Sequence, residues 1–185
     1  KSNDLVSLIR LIFQNKKLMM GLDSGWASLA KPINKLIHMS HKNSILGSKK
    51  NITAHYDLSN EFYKLWLDET MTYSCGIFEN DSTSMKDASI EKIDRLCRKL
   101  KLNNRDKVLE IGTGWGSFCL HAAKHYGCNI TTTTISDAQY LFTKNKIKDA
   151  KLENNITLLK EDYRNLNGKF DKIISIEMIE AVGYK

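Results

Sequence analysis

The stretch with the most distinctive chemical signature is a glycine-rich turn, Glu110-Ile111-Gly112-Thr113-Gly114-Trp115-Gly116. It follows an apolar run that is typical of a buried strand, and a helical pattern comes after it. Glycines at a strand-to-helix turn let the backbone bend tightly and approach a ligand without an intervening Cβ, and the N-terminus of the following helix adds partial positive charge. We therefore expect a nucleotide-type ligand here. The alternative is a tight turn that binds nothing.

The identity of that nucleotide is left open by the glycine spacing. A dinucleotide fingerprint has the form GxGxxG, whereas the glycines here are spaced GxGxG behind an acid, Glu110. A dinucleotide site would also need an acid after the second strand, and Asp137 is the nearby candidate. However, Ser136 and Gln139 have the spacing of a capping box, which favours a helix start for Asp137 instead.

Alternating strand and helix patterns must position this turn. Strands are predicted at 108–111, 130–135, 156–159 and 172–176, with helices at 118–126 and 137–148 between them. Upstream, helical patterns cover 5–20, the residues after Pro32, 59–67 and 87–100. Strands that alternate with helices predict right-handed βαβ units and a mainly parallel sheet of α/β class. Four strands are roughly half of a doubly wound sheet, so we expect an incomplete sheet and a fragment of a longer chain.

The charge of the chain is unevenly distributed. The sequence is 42% hydrophobic and 26% charged, as in soluble globular proteins. Residues 1–50 hold 9 Lys and Arg against 2 Asp and Glu, whereas residues 51–185 hold 19 of each kind. This distribution argues against a nucleic-acid-binding protein that is basic throughout. The basic segment predicts either attachment to anionic lipid or a helix pair that packs on another domain.

Membrane spans, secretion and metal binding have little support in the sequence. No apolar run reaches the ~18–20 residues that cross a bilayer, and no signal-peptide pattern opens the chain. The four cysteines, Cys75, Cys97, Cys119 and Cys128, form no CxxC pair, so we expect reduced thiols in a cytoplasm. His121 and His125 have helical i, i+4 spacing but no partner in motif spacing, so we expect no metal.

Several further motifs occur in a fixed order along the chain. They are residues 47–52, 55–63, 71–75, 109–116, 134–136 with Gln139, 162–164 and 175–183. The glycine turn resembles motif I of class I S-adenosylmethionine-dependent methyltransferases. The whole series, from about residue 42 to the end, resembles the cyclopropane fatty acid synthase family.

The resemblance implies a Rossmann-like class I methyltransferase fold with an incomplete sheet, preceded by an N-terminal helical segment. It divides the chain into a basic helical or linker segment (1–50), a helical lid and active-site segment (51–104) and the N-terminal half of the methyltransferase domain (105–185). The implied reaction moves a methyl carbon from S-adenosylmethionine to the cis double bond of an unsaturated phospholipid acyl chain, and the ring then closes. The protein would act from the cytoplasm, held peripherally on the inner face of the membrane, as a monomer or a homodimer.

In the family a bound bicarbonate ion accepts the proton that is lost on ring closure. By motif, Cys75 and Glu180 match two of the residues that hold this ion, and the family's His and Tyr would lie beyond Lys185. The cofactor would contact residues from several motifs, namely Tyr73, Ser74, Glu110, Gly112, Gly114, Trp115, Gly116, Thr134, Ile135, Gln139, Tyr163 and Arg164. Taken singly, these side chains also have ordinary structural explanations as packing residues, β-formers or solvated charges.

One departure from the family pattern is Ala181, because many members have His after the Glu that Glu180 matches. Plant benzylisoquinoline N-methyltransferases typically keep that His, so Ala181 and Gly183 favour a lipid substrate over an amine. The sequence also leaves open a fragment that binds cofactor without catalysis and a methyltransferase that acts on nucleic-acid bases. The residues after the fourth strand, Ser-Ile-Glu-Met, differ from the Asn-Pro-Pro-Tyr type of that last class.

Overall fold

The computed structural model describes residues 4–15 and 60–178. The chain divides into two compact units, Lys1–Lys42 and Asn43–Lys185. In the first unit, helix α1 (Leu5–Gln14) begins at Asp4, whose carboxylate accepts a 2.9 Å hydrogen bond from the Ser7 amide. The remainder of the predicted helix at 5–20, and the helix predicted after Pro32, lie outside the described residues.

The second unit is built on a four-stranded parallel sheet. Its strands are β1 (Lys107–Ile111), β2 (Asn129–Thr133), β3 (Ile156–Leu159) and β4 (Lys172–Ser175), in the order β3-β2-β1-β4. Strand β1 pairs in parallel with both β2 and β4. The predicted parallel α/β sheet is confirmed. Because β2 and β3 lie on one side of β1 and β4 lies on the other, the direction of the chain through the sheet reverses at β1.

The helices follow the predicted order. They are α2 (Asn60–Lys64), α3 (Met85–Lys99), α4 (Ser117–Tyr126) and α5 (Asp137–Asp149), with a 3-10 helix at Tyr163–Asn165. Ser136 caps α5 by accepting from the Gln139 amide, as the capping-box pattern predicts, and Gly127 ends α4 in the left-handed conformation. Helix α2 is shorter than the predicted 59–67 and leaves Leu65 and Trp66 exposed.

The hydrophobic core lies between the sheet and the helices. Val108 and Ile130 from adjacent strands and Phe118 from α4 are among its fully buried side chains. Burial of each such side chain contributes about 1.5–3 kcal/mol to folding. This core fixes the central strand β1 and the helix that follows the glycine turn, so the turn is held at both of its ends. Within the described part of the chain, no helix is long and apolar enough to cross a bilayer.

A polar cluster joins α3 to α4 away from the glycine turn. Asp94 accepts hydrogen bonds from His121 Nε2 at 3.0 Å and from the Tyr126 hydroxyl at 2.8 Å, and it also pairs with Arg98. The bond from His121, together with Tyr126 and the Arg98 charge, lowers the pKa of Asp94. The His121 ring stacks beside His125 with centroids 4.5 Å apart. His121 therefore donates a hydrogen bond to a carboxylate on the neighbouring helix. Among the described residues, no group of three or more His, Cys, Asp or Glu could hold a metal ion.

This cluster predicts that Asp94→Asn lowers the free energy of unfolding by about 1–3 kcal/mol at pH 7, because one acceptor serves three donors. The pKa of Asp94 is lowered in the folded state, so its stabilisation is present above the carboxyl's ordinary pKa and is lost as the pH falls through the folded value. Urea titrations at pH 7 and at acidic pH measure the difference. Asp149→Asn, at an exposed position, is the control. Equal stability of wild type and Asp94→Asn at pH 7 would contradict this assignment.

Candidate cofactor site

The candidate site lies at the carboxyl ends of the parallel strands. The glycine turn at 112–116 follows β1, and residues 176–178 follow β4. Ligands of open α/β sheets bind where two neighbouring strands send their connections to opposite sides, and β1 and β4 form such a pair here. The two segments are in close contact, because a Cβ on Gly112 would lie 3.2 Å from Cγ of Met178.

The glycine turn is fastened to the neighbouring strand by its backbone. The amides of Gly112 and Thr113 both donate to the Thr133 carbonyl, at 3.1 and 3.0 Å. All three glycines have left-handed φ angles, namely 93° at Gly112, 54° at Gly114 and 86° at Gly116. Side chains other than glycine are strained in this conformation, which explains the GxGxG spacing in structural terms.

The three glycines differ in what surrounds them. A Cβ on Gly116 would lie 2.8 Å from Cγ2 of Thr143 on α5, so this glycine serves helix packing. A Cβ on Gly114 would have no atom within 4 Å, so the turn presents bare backbone to open space there. Open space beside a glycine backbone, at the N-terminal end of α4, fits the approach of an elongated cofactor.

Glu110 is buried beneath the turn. Its carboxyl group accepts a 2.6 Å hydrogen bond from Thr132 Oγ1, which lies 2.7 Å from Thr113 Oγ1. Because the Thr132 hydroxyl donates to Glu110, Thr113 must donate to Thr132. Burial raises the pKa of Glu110 to about 8. Glu110 therefore connects the turn to β2 from below, and its side chain is 3% exposed.

Trp115 also faces protein. Its indole Nε1 donates to Asn60 Oδ1 at 2.8 Å, and its ring centroid lies 4.7 Å from that of Tyr63. Met71 belongs to the same buried cluster. Trp115 thus attaches α2 to the glycine turn.

Predicted residues after β2 form a small buried network. Thr134 Oγ1 donates to Gln139 Oε1 at 3.0 Å and accepts from the Ser136 amide at 3.2 Å. Thr134 and Gln139 are buried, and Ile135 between them is partly exposed. Asp137 is exposed and pairs with Lys160, in agreement with a helix start.

The carboxylate of Asp162 holds Arg164 in the segment that follows β3. Arg164 donates to Asp162 Oδ1 through Nε at 2.8 Å and to Oδ2 through Nη2 at 2.6 Å. These bonds lower the pKa of Asp162, and the Arg164 guanidinium lies 5.7 Å from the Tyr163 ring centroid. The Tyr163–Arg164 pair is therefore held at the same edge of the sheet as the glycine turn.

The segment Tyr73–Cys75 is packed along α3. A Cβ on Gly76 would lie 2.7 Å from Cβ of Ala88, and the Ile77 amide donates to the Ala88 carbonyl at 2.9 Å. Tyr73 and Cys75 are exposed, whereas Ser74 is half-buried. All four cysteines of the chain are free thiols, and Cys75 is the exposed one.

Sequence reasoning did not identify Lys92 of α3, which is buried and donates to the Ser74 hydroxyl. The available signal was a lysine on the apolar face of a predicted helix, four residues before Leu96. At the end of β4, Glu177 has a left-handed φ of 57°, a strained conformation for a residue with a side chain. The predicted catalytic Glu180 lies outside the described residues.

Several classes of nucleotide-binding protein have a doubly wound sheet with a glycine turn at its reversal point. The comparison with solved structures identifies this one as the α/β fold of class I S-adenosylmethionine-dependent methyltransferases. Residues 44–185 match the family described as mycolic acid cyclopropane synthetase, and the chain belongs to that family.

Individual relatives agree with this assignment. A probable fatty acid methyltransferase of Pseudomonas putida is 41% identical over 135 residues, which are 72% of this chain and 34% of that protein. Cyclopropane-fatty-acyl-phospholipid synthase of Escherichia coli K12 is 36% identical over 131 residues, or 71% and 33% of the two chains. The crystal structure of mycolic acid cyclopropane synthase CmaA1 complexed with SAH and CTAB has a TM-score of 0.68 and 33% identity, and the match covers 71% of this chain and 46% of that one. The chain thus spans about a third to a half of these relatives.

The open space at Gly114 predicts that Gly114→Ala weakens cofactor binding. Gly127→Ala is a matched control, because Gly127 also has a left-handed φ, of 68°, but ends α4 away from the turn. Both variants should lose about 1–2 kcal/mol of stability through backbone strain. Only Gly114→Ala should raise the Kd for S-adenosylhomocysteine, measured by isothermal titration calorimetry. Equal affinities of the two variants would show that the turn does not contact the ligand.

The buried carboxyl group predicts a pH-dependent stability. The folded pKa of Glu110 is about 8, against an ordinary value of 4.5. Between these values the folded state holds a proton that the unfolded state has released, so this group's contribution to stability falls as the pH rises. Glu110→Gln should remove that slope, at most about 1.4 kcal/mol per pH unit, in urea titrations from pH 5 to 8. Parallel pH curves for the two proteins would refute the raised pKa.

Proposed function

We propose that the protein, in its full encoded length, is an S-adenosylmethionine-dependent methyltransferase that converts the cis double bond of unsaturated phospholipid acyl chains into a cyclopropane ring. The observation that carries the proposal is family membership over residues 44–185. It is supported by the parallel sheet, in which residues 112–116, 134–139 and 163–164 follow the adjacent strands β1, β2 and β3. Named relatives act on fatty acids, on fatty-acyl-phospholipids or on mycolic acids.

The chemistry explains why this edge of the sheet suits the reaction. When bound, S-adenosylmethionine supplies a methyl group activated by a sulfonium centre. An alkene is a weak nucleophile, so the two reactants must be held in line in a pocket that excludes water until the resulting cation loses a proton. We assign the methionine end of the cofactor to the turn at 112–116 and to Tyr73 and Ser74, which act as a lid.

The rest of the cofactor is assigned to the other strand ends. Thr134, Ile135 and Gln139 are proposed for the ribose side, and Tyr163 and Arg164 for the adenine. The buried hydrogen bond from Thr134 Oγ1 to Gln139 Oε1 supports a role in shaping this surface, because it fixes both side chains on either side of the partly exposed Ile135. The bidentate Arg164–Asp162 pair supports a similar role, since it fixes the plane of the guanidinium beside Tyr163.

Proton removal is assigned to a bicarbonate ion held by Cys75 and Glu180. Support for this assignment is that Cys75 is exposed on the segment that packs along α3, whereas the other three cysteines are buried. Its exposure leaves Cys75 accessible to a small anion.

The proposed partners are unsaturated phospholipid acyl chains and the inner, cytoplasmic surface of a membrane. The enzyme would be attached peripherally by its basic N-terminal segment, as a monomer or a homodimer. Helix α1 supports such attachment, because it exposes Val6, Ile9 and Phe13 alongside Arg10. Exposed apolar side chains beside a cation are the features with which an interfacial helix binds lipid.

The direct test is incubation of the full-length protein with methyl-labelled S-adenosylmethionine and vesicles of unsaturated phosphatidylglycerol. We expect label in the acyl chains and a cyclopropane product, which is distinguished from a methyl branch by mass spectrometry. Glu180→Gln should cut turnover strongly and leave cofactor affinity nearly unchanged, since its proposed role is to hold the proton acceptor. Vesicles of saturated phospholipid are the negative control.

Three outcomes would overturn the proposal. Cofactor binding without label in lipid would indicate a protein that binds but does not catalyse this reaction. Label in an added amine, with none in lipid, would indicate an N-methyltransferase. Full turnover by Glu180→Gln would remove Glu180 from the site.

A further inference from the structure

Lys92 occupies an unusual position for a lysine. It lies on the face of α3 that also buries Ala88 and Ser89, and it is 9% exposed. Its ammonium group donates to Oγ of Ser74, the central residue of the Tyr73–Cys75 segment. Lysine is rarely buried to this extent without a partner that requires it.

Two further groups act on this ammonium. Burial is the main cause acting on the pKa of Lys92 and lowers it, and Cys75 and Glu177 oppose that shift. Cys75 precedes α3 in the chain and Glu177 follows β4, so groups from two separate segments influence one buried cation. Glu177 has a left-handed backbone conformation, with φ at 57°.

The contacts beside Lys92 show what it holds in place. Ser89, one position from Ala88 on the same face, donates to Asp68 Oδ2 at 3.1 Å. A Cβ on Gly76 would come within 2.7 Å of the Ala88 Cβ. The segment is therefore fixed to α3 before and after Tyr73–Cys75, and Lys92 supplies the side-chain hydrogen bond in its middle.

We infer that Lys92 is a positioning residue of the cofactor site: acting through Ser74, its ammonium group holds the Tyr73–Cys75 segment against α3, in the position in which the proposed function has it cover the cofactor. This inference rests on the proposed function for the identity of the ligand. A hydrogen bond from a charged donor inside a buried site is among the stronger polar contacts in proteins, and it needs the ammonium in its charged form.

The test is a double-mutant cycle of Lys92→Met and Ser74→Ala, with S-adenosylhomocysteine affinity measured by isothermal titration calorimetry on the 185-residue chain. Each single variant should raise Kd about 10-fold or more, as expected for loss of a hydrogen bond to a charged group. Because Lys92 acts through Ser74, the double variant should bind S-adenosylhomocysteine no more weakly than the weaker-binding single variant does. Lys92→Arg, which keeps the charge and the donor, should restore most of the affinity.

Lys172→Met is the matched control. Lys172 is a half-buried lysine that donates to the carbonyls of Leu100 and Lys101, at 2.6 and 2.9 Å. Unlike Lys92, it begins β4 and therefore lies at the opposite end of the sheet. Its loss should change stability and leave Kd unchanged. If Lys92→Met does not fold, Lys92→Gln, which keeps a hydrogen-bond donor and removes the charge, takes its place in the cycle.

The possible failures can be told apart. Wild-type affinity in Ser74→Ala, or effects of the two variants that multiply, would overturn the role of Lys92 while leaving the proposed function intact. Binding of S-adenosylhomocysteine without methyl transfer to lipid would overturn the lipid reaction and leave the role of Lys92 intact. Absence of any binding to the wild-type chain would overturn both.

Discussion

The structure of the site depends on one carbonyl group. The Thr133 oxygen at the end of β2 accepts from the amides of both Gly112 and Thr113, so the chain leaving β1 must turn at once. That turn is possible only with left-handed backbone at the glycines, and it places bare main chain at the point where β1 and β4 diverge. The predicted cofactor contacts on the other strands depend on this geometry, because they lie at the same edge of the sheet.

The side chains beneath the turn maintain it from inside the protein. The chain of hydroxyls from Thr113 through Thr132 ends on the buried carboxyl group of Glu110, so turn and sheet form one polar network. Burial raises the pKa of Glu110 and favours its neutral form, which avoids an uncompensated charge in the core. The hydrogen bond from Thr132 thus accounts for the acid at the start of the Glu110–Gly116 pattern. Trp115 likewise has a structural contact, because its indole donates to Asn60 and so joins α2 to the turn.

Much of this arrangement could be predicted from the sequence, because it depends on local patterns. Strand β3 lies where its β-branched and apolar run predicts it, and the Ser136 and Gly127 caps follow from backbone preferences of single residues. What could not be predicted depends on contacts between distant segments. Lys92 lies 18 residues from Ser74, and nothing in either local pattern shows that they meet. The same holds for α2, which ends at Lys64: the contact of Tyr63 with Trp115, against which Leu67 packs, joins segments that are distant in the sequence.

The proposed function requires that the cofactor contact both the glycine turn and the Tyr73–Cys75 segment. Amide chemical shifts of the isotope-labelled chain, followed while S-adenosylhomocysteine is added, test this requirement most directly. We expect large shift changes at Gly112, Gly114 and Tyr73–Cys75, and almost none at Gly127, at the far end of α4. Changes confined to the surface around Gly127, or spread evenly over the chain, would contradict it.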